Sequence, residues 1–261
     1  MRDLFNLDGR VAVITGGSGQ LGQQYIHVLT EYGAKVAVFD LVRGQTNDDN
    51  AKYYVVDITE RGAVEEAVRE VTEDFGNPGI LINNAALDSP PSAPASENGP
   101  FENYPIESLE KILDVNIKGT FICCQVVGGL MADAGMGTII NIASTYGLVS
   151  PNQDIYAYKR KDGEAWYKPA PYSVSKSAIL NLTRYLATYW ARKGVRVNTL
   201  TPAGIFNNQD NEFLEEYSMR IPIGRMANAD EMNGAIVFLA SAASSYMTGS
   251  NLVVDGGWTA W

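Results

Sequence analysis

Seven short apolar runs recur along the chain, at 10–15 (RVAVIT), 35–40 (KVAVFD), 52–57 (KYYVVD), 79–85 (GILINNA), 137–144 (GTIINIAS), 195–200 (VRVNTL) and 251–255 (NLVVD). Their apolar side chains follow one another with little alternation, the pattern of strands buried on both faces. Stretches at about 20–32, 60–75, 107–134, 172–192 and 229–243 instead repeat apolar residues every three or four positions, as helices packed on a core do. Strand and helix patterns that alternate in this way predict an α/β fold. The expected architecture is one doubly wound, seven-stranded parallel sheet with helices on both faces, spanning 1–261 as a single domain.

Three polar stretches break the pattern, at 87–105, 150–171 and 203–225. Each follows the carboxyl end of a predicted strand, the edge at which open α/β sheets bind ligands. They are expected to be substrate loops.

The first strand runs into TGGSGQLG, where glycines 17, 19 and 22 have G-x-G-x-x-G spacing. That spacing allows a tight turn and a close backbone approach to a pyrophosphate at a helix N-terminus, the Rossmann fingerprint. Asp40 ends the second predicted strand. A carboxylate there accepts from a ribose 2′-hydroxyl and repels a 2′-phosphate, so NAD is expected over NADP, with Arg43 the one nearby feature favouring the phosphate.

Composition narrows the classes further. With 46% hydrophobic and 19% charged residues the chain can bury a core, and its net charge of −10 argues against nucleic acid or an anionic membrane as partner. No apolar run approaches the roughly 20 residues that span a bilayer, and the N-terminus carries no signal-peptide pattern. Cys123 and Cys124 are adjacent, unsuited to bridging each other or to metal spacing, and are expected to be reduced core thiols. His27, the only histidine, lies away from the other motifs, and no metal is expected. A cytoplasmic enzyme is the default reading.

One helix carries chemistry. In PAPYSVSKSAILNLTRYLATYW, Tyr172 and Lys176 stand four apart and share a face. A phenol with pKa about 10 is a poor base at neutral pH, and a neighbouring ammonium favours phenolate.

The sequence resembles the short-chain dehydrogenase/reductase family over nearly its whole length. The matching pieces occur in order: TGGSGQLG at 15–22, VVDIT at 55–59, INNAA at 82–86, DVNIKGTF at 114–121, IINIAS at 139–144, YSVSK at 172–176, VRVNTLTPAG at 195–204 and VVDGG at 253–257. The resemblance implies hydride transfer between a secondary alcohol or ketone and a nicotinamide dinucleotide. It makes Tyr172 the acid/base, with Lys176 lowering its pKa and holding the nicotinamide ribose. Ser144 would hydrogen-bond the substrate oxygen, and Asn116 would hold a water in the proton relay. It places Gly16, Ser18, Gly19, Gln20 and Leu21 at the phosphates, Asp57 and Ile58 beside the adenine, Asn83 and Ala85 along the groove, and Pro202, Gly204 and Ile205 beside the nicotinamide. Asn83 could equally pin neighbouring strands.

Two departures from the family pattern stand out. Gln20 occupies a position where the family usually has glycine, giving the T-G-x-x-G-x-x-G register of the extended branch that works on nucleotide sugars. Ser144 and Tyr172 are 28 residues apart, about twice the usual separation, and the added material is aromatic and charged. That insertion and GIFNNQDNEFLEEY after residue 203 resemble a branch linked to bacterial surface-sugar synthesis (flagellin glycan and legionaminic acid) and often labelled gluconate 5-dehydrogenase. Amides and charges beside aromatic rings in both loops suit a sugar-like substrate, and the basic run Lys159, Arg160, Lys161 suits a carboxylate or phosphate on it. The resemblance also implies a homotetramer, with Trp258 and Trp261 exposed on a lone subunit. The competing class is a dinucleotide-binding redox sensor or scaffold without catalysis, against which the intact Ser144, Tyr172 and Lys176 argue.

Overall fold

The computed structural model describes residues 3–44, 46, 48–88, 95–160 and 165–261. All seven predicted strands form: β1 (Val11–Thr15), β2 (Lys35–Asp40), β3 (Ala51–Val55), β4 (Ile80–Asn83), β5 (Gly137–Ile142), β6 (Val195–Pro202) and β7 (Asn251–Val254). They pair in parallel, in the order β3-β2-β1-β4-β5-β6-β7. The order reverses between β1 and β4, which opens a crevice at their carboxyl ends.

The helices are α1 (Gln20–Glu31), α2 (Arg61–Phe75), α3 (Ala95–Asn98), α4 (Ile106–Leu113), α5 (Thr120–Asp133), α6 (Ala170–Trp190), α7 (Asn211–Ser218) and α8 (Asn233–Ala240). Successive strand residues point to opposite faces, so each central strand feeds two cores. Val11, Val13, Leu81, Ile139 and Val197 pack with Val68 of α2, Val127 of α5 and Leu186 of α6. Ala12, Ile14, Ile82, Ile140 and Leu200 pack with Leu29 of α1 and Ile236 of α8. Burial on both faces explains why these strands lack alternation in sequence.

Two features depart from the sequence reading. A six-residue π turn, Asp114–Gly119, joins α4 to α5, so Ile106–Asp133 is one helix of 28 residues. By length and composition it is long and apolar enough to cross a bilayer, although Asp114 and Lys118 interrupt its apolar residues. Half of its most apolar window is buried against the fold, the position of a core helix. Second, all three stretches read as loops contain helix: α3 in the first, a 3-10 helix at Gln153–Lys159 in the second and α7 in the third. All three are short, which hides their period.

At the carboxyl ends of the strands, buried polar side chains replace aliphatic ones. Asn83 Nδ2 donates to Asn141 Oδ1 at 2.8 Å, Asn141 Nδ2 to Thr183 Oγ1 at 2.9 Å, and Thr199 Oγ1 to Thr183 Oγ1 at 2.8 Å. All four residues are buried. A buried donor left unmade costs about 1–3 kcal/mol, so this chain of bonds fixes α6 in one register over β4, β5 and β6. The helix that carries Tyr172 and Lys176 is thereby locked to the sheet. Asn83, weighed above between groove and strand, does pin β4 to β5.

Candidate active site

Ser144 follows β5 in extended backbone and accepts from the amide of Tyr146 at 3.2 Å, opening a 3-10 turn at Thr145–Gly147. That turn lies directly on α6. A Cβ at Gly147 would come within 2.8 Å of the Lys176 backbone, and Ser177 Oγ donates to the Gly147 carbonyl at 2.9 Å. The contact brings the Ser144 hydroxyl into hydrogen bonding with the Tyr172 phenol. Lys176 lies one turn along the same face, buried, and its Nζ donates to the Ile142 carbonyl at 2.7 Å and lies 5.7 Å from the Tyr172 ring centre. Three residues from two segments therefore converge, as their motifs predict.

Their electrostatics differ from expectation. Burial pushes the Tyr172 phenol above its ordinary value, the negative charge of Asp88 adds to this, and the Ser144 bond opposes it. Lys176 does not offset this rise, and burial acts on the lysine as well. It brings the Lys176 ammonium down to about 8, partly offset by Asp88. The phenol thus keeps its proton at neutral pH.

Asn116 is buried in the π turn, a geometry that recurs at functional sites. Its Nδ2 donates to the Leu87 carbonyl and to Ser175 Oγ, both at 2.9 Å, and its Oδ1 accepts from the Leu87 amide at 2.7 Å. Ser175 Oγ in turn donates to the Tyr172 carbonyl at 2.7 Å. Asn116 therefore clips the loop after β4 to the helix that bears Tyr172.

The expected cofactor residues line the same edge. Gly16 takes φ +66°, and a Cβ there would come within 2.7 Å of the Ala85 backbone, so the turn tolerates no side chain. Gly22 is equally tight, 2.5 Å from the Gly17 backbone, whereas Gly19 caps α1 with no neighbour closer than 3.4 Å. Leu21, in the first turn of α1, lines the cavity described below. Asp40 accepts from the Ser18 amide at 2.9 Å, which sets its carboxylate beside the turn. Ser18 Oγ is buried with no partner among the described residues. A turn closed to side chains, an orphaned hydroxyl and a carboxylate at the end of β2 fit a dinucleotide. Asp57 caps the turn after β3, accepting from the Thr59 amide at 2.9 Å and its hydroxyl at 2.7 Å, while Ile58 is buried against Gly119. Asn84, which the motif reading passed over, ties the loop back by donating to the Thr15 and Gly16 carbonyls. Gln20, at the position of family departure, donates to the Phe206 carbonyl at 2.7 Å and so links the glycine turn to the loop after β6.

Above Ser144 and Tyr172 a cavity of about 500 Å³ opens between the loops after β4, β5 and β6, with Pro202, Gly204 and Ile205 in one wall. Its roof is a small aromatic core: Tyr156 against Trp166 (4.8 Å between ring centres) and Phe213 (5.7 Å), Phe213 against Tyr217 (5.5 Å), and Tyr217 stacked on Trp258 (4.5 Å). Trp258 is thus half-buried within its own chain, a correction to its expected exposure, and Trp261 alone of the pair stands out at 80% exposed. The Tyr217 hydroxyl accepts from the Gly204 amide at 2.7 Å, fixing the roof to the wall.

The basic run behaves otherwise than expected. Lys159 pairs with Asp210 at 3.0 Å, and Arg160 donates to the carbonyls of Gln153 (2.8 Å) and Trp166 (3.1 Å). Lys161 lies outside the described residues. Besides Lys176, a second lysine reaches the chemistry: Lys168 Nζ lies 5.7 Å from the Tyr172 ring centre and donates to both oxygens of Asp88, at 2.6 and 2.7 Å. Asp88 was not singled out in the sequence, where nothing in LDSPP distinguishes it from a solvated loop acid.

Residues 19–259 match the family model adh_short_C2, described as enoyl-(acyl carrier protein) reductase. The chain is 30% identical to D-threitol dehydrogenase of Mycolicibacterium smegmatis, over 98% of this chain and 95% of that one. Its fold is similar to that of a short-chain dehydrogenase from Leptospira borgpetersenii solved with NAD+ (TM-score 0.87, 31% identity, 99% of this chain and 96% of that one). It is also similar to a gluconate 5-dehydrogenase from Burkholderia cenocepacia solved with NADP and tartrate (TM-score 0.83, 29% identity, 99% and 98%). The chain belongs to the short-chain dehydrogenase/reductase family of NAD(P)-dependent oxidoreductases.

Proposed function

We propose that the chain interconverts a secondary alcohol and its ketone on a sugar, sugar acid or related polyhydroxylated compound, with NAD preferred. The observation that carries this reading is the convergence of Ser144, Tyr172 and Lys176 beneath a cavity lined by phenols, amides and ion pairs. Sugar-like substrates also appear in the names of the D-threitol and gluconate dehydrogenases above. A bound nicotinamide dinucleotide supplies the hydride acceptor or donor. The protein supplies the rest: Ser144 holds the substrate oxygen, Tyr172 exchanges a proton with it, and Lys176 holds the cofactor ribose. Asn116 acts by keeping the Leu87 loop on α6, beside the proton relay. A phenol held above its ordinary pKa stands ready as an acid toward a ketone, so oxidation of the alcohol should gain as pH rises.

Preference for NAD rests on Asp40, which would meet a 2′-phosphate with like charge. A cytoplasmic homotetramer is the proposed working form. Its support is a stripe on α6 where Val174, Tyr185 and Tyr189 are more than half exposed, with the two tyrosine rings stacked at 6.0 Å. A silent dinucleotide-binding sensor has less support, since no member of the catalytic set is replaced. Incubation with NAD or NADP and a panel of polyols, aldonates and ketoses, followed at the absorbance of the reduced cofactor, tests the whole reading. Turnover with NAD is expected, and Asp40→Ala should narrow its lead over NADP. No turnover of any member would defeat it, and faster turnover with NADP would defeat the cofactor assignment alone.

A further inference from the structure

We propose that Asp88 and Lys168 together read a hydroxyl on the carbon next to the reacting one, so that the substrate end facing Tyr172 is an uncharged vicinal diol, oxidised to an α-hydroxy ketone. The inference rests on the alcohol–ketone reading above and names the substrate class that reading leaves open.

Position is the first argument. Both side chains line the cavity that contains Ser144 and Tyr172. The Lys168 ammonium lies 5.7 Å from the Tyr172 ring centre, and the Asp88 charge is felt by both Tyr172 and Lys176. The pair is therefore close enough to reach a substituent on the carbon adjacent to the one that changes oxidation state.

Rigidity is the second. The Lys168 side chain is only 9% exposed, whereas that of Asp88 is 47% exposed. The backbone of Lys168 is held at both ends by one side chain: its amide donates to Gln153 Oε1 at 2.9 Å, and its carbonyl accepts from Gln153 Nε2 at 3.1 Å. A lysine fixed in this way is not a loose surface cation. Its bond to both carboxylate oxygens sets an acceptor and a donor side by side in the cavity lining. A hydroxyl, which both donates and accepts, complements such a pair.

Charge is the third. The ammonium is already neutralised by the two Asp88 oxygens, so a carboxylate on the adjacent carbon would gain little from Lys168 and would meet Asp88 as a like charge. Among the described residues the neighbouring cations are committed, Lys159 to Asp210 and Arg160 to two carbonyls. An α-hydroxy acid is thus disfavoured at this end of the cavity. In the reaction the carbinol C–H leaves as hydride to the nicotinamide and its O–H proton passes to Tyr172. The neighbouring hydroxyl is bound and unchanged.

The test uses the full chain with NAD. Tetritols, pentitols and hexitols are compared with analogues deoxygenated at the carbon beside the oxidised one, and with the corresponding 2-hydroxy acids. For wild type, kcat/KM for the diol should exceed that for the deoxy analogue on the order of 10³-fold, as for sites built to bond a substrate hydroxyl. In Asp88→Ala and Lys168→Met that ratio should fall below roughly tenfold, with Lys168→Arg keeping most of it. Structural damage would lower both rates alike and leave the ratio intact. Equal rates on diol and deoxy analogue, a ratio unchanged in Asp88→Ala, or a wild-type preference for the 2-hydroxy acid would each overturn the inference while leaving the alcohol–ketone reading standing. Absence of turnover on every alcohol would overturn both.

Discussion

The floor and the roof of the cavity hold their charges in opposite ways. The floor buries one ammonium, Lys176, with a single neutral acceptor, the Ile142 carbonyl, and keeps the nearby phenol protonated by the same burial. The roof keeps two lysines in contact with carboxylates, Lys159 with Asp210 and Lys168 with Asp88. An uncompensated buried charge is expensive, whereas paired and partly exposed charges are nearly neutral in free energy. The proposed catalytic groups sit where the protein tolerates that cost, and the proposed recognition surface sits where it does not arise. Substitutions in the two regions should therefore differ in size and in kind.

The largest effect belongs to the floor. Tyr172→Phe removes the hydroxyl proposed to exchange a proton with the substrate oxygen and keeps the ring. Turnover should fall by roughly 10²–10⁴-fold, while the dissociation constant for NAD changes little. Near-native turnover by the phenylalanine variant would take Tyr172 out of the mechanism and remove the contrast between the regions.

This contrast also explains what could be read in advance. The strands were legible because burial on both faces imposes unbroken apolar runs, and Tyr172 with Lys176 because a helix turn forces them onto one face. Ser144 was legible through its motif, although 28 residues separate it from Tyr172, since the Gly147 contact with α6 is what brings it back. The roof was not. Asp88 and Lys168 are 80 residues apart, and Tyr158, Lys159 and Asp210 meet across more than 50. No local period encodes such pairings. The run 159–161 reads as an anion site only until its partners are known, and Trp258 reads as exposed only until Tyr217 is found beneath it.

The next effect concerns the cost of the floor itself. Lys176 has an ordinary pKa of 10.5 and is brought to about 8 by burial. Below pH 8 both folded and unfolded chains carry the proton, and the folded chain bears the full penalty of a buried ammonium. Between pH 8 and 10.5 the folded chain releases it while the unfolded chain retains it, so stability rises with pH over that window. A shift of this size corresponds to roughly 3 kcal/mol. Lys176→Met carries no such penalty, so the stability difference between wild type and variant should move toward wild type by about that amount from pH 7 to 10.5. Denaturant titrations of both proteins at the two pH values measure it. A difference that stays constant with pH would mean that Lys176 stays charged with its ordinary pKa in the fold.

The smallest effect belongs to the roof. Asp210 accepts from Lys159 Nζ at 3.0 Å and from the Tyr158 hydroxyl at 3.1 Å, and its side chain is 54% exposed. Those two bonds hold its carboxyl below the usual carboxylate range, so the tie persists as pH falls until the carboxyl takes up a proton. A pair this exposed is worth about 0–1 kcal/mol. Asp210→Asn keeps an acceptor for both donors and removes only the charge. KM for the sugar-like substrate should rise by no more than about fivefold with kcat unchanged, and the gap should narrow as salt is added. A loss of two orders of magnitude in kcat would show instead that the roof takes part in the chemistry, and that a paired, half-exposed carboxylate 51 residues from its lysine was as decisive as the buried ammonium beneath it.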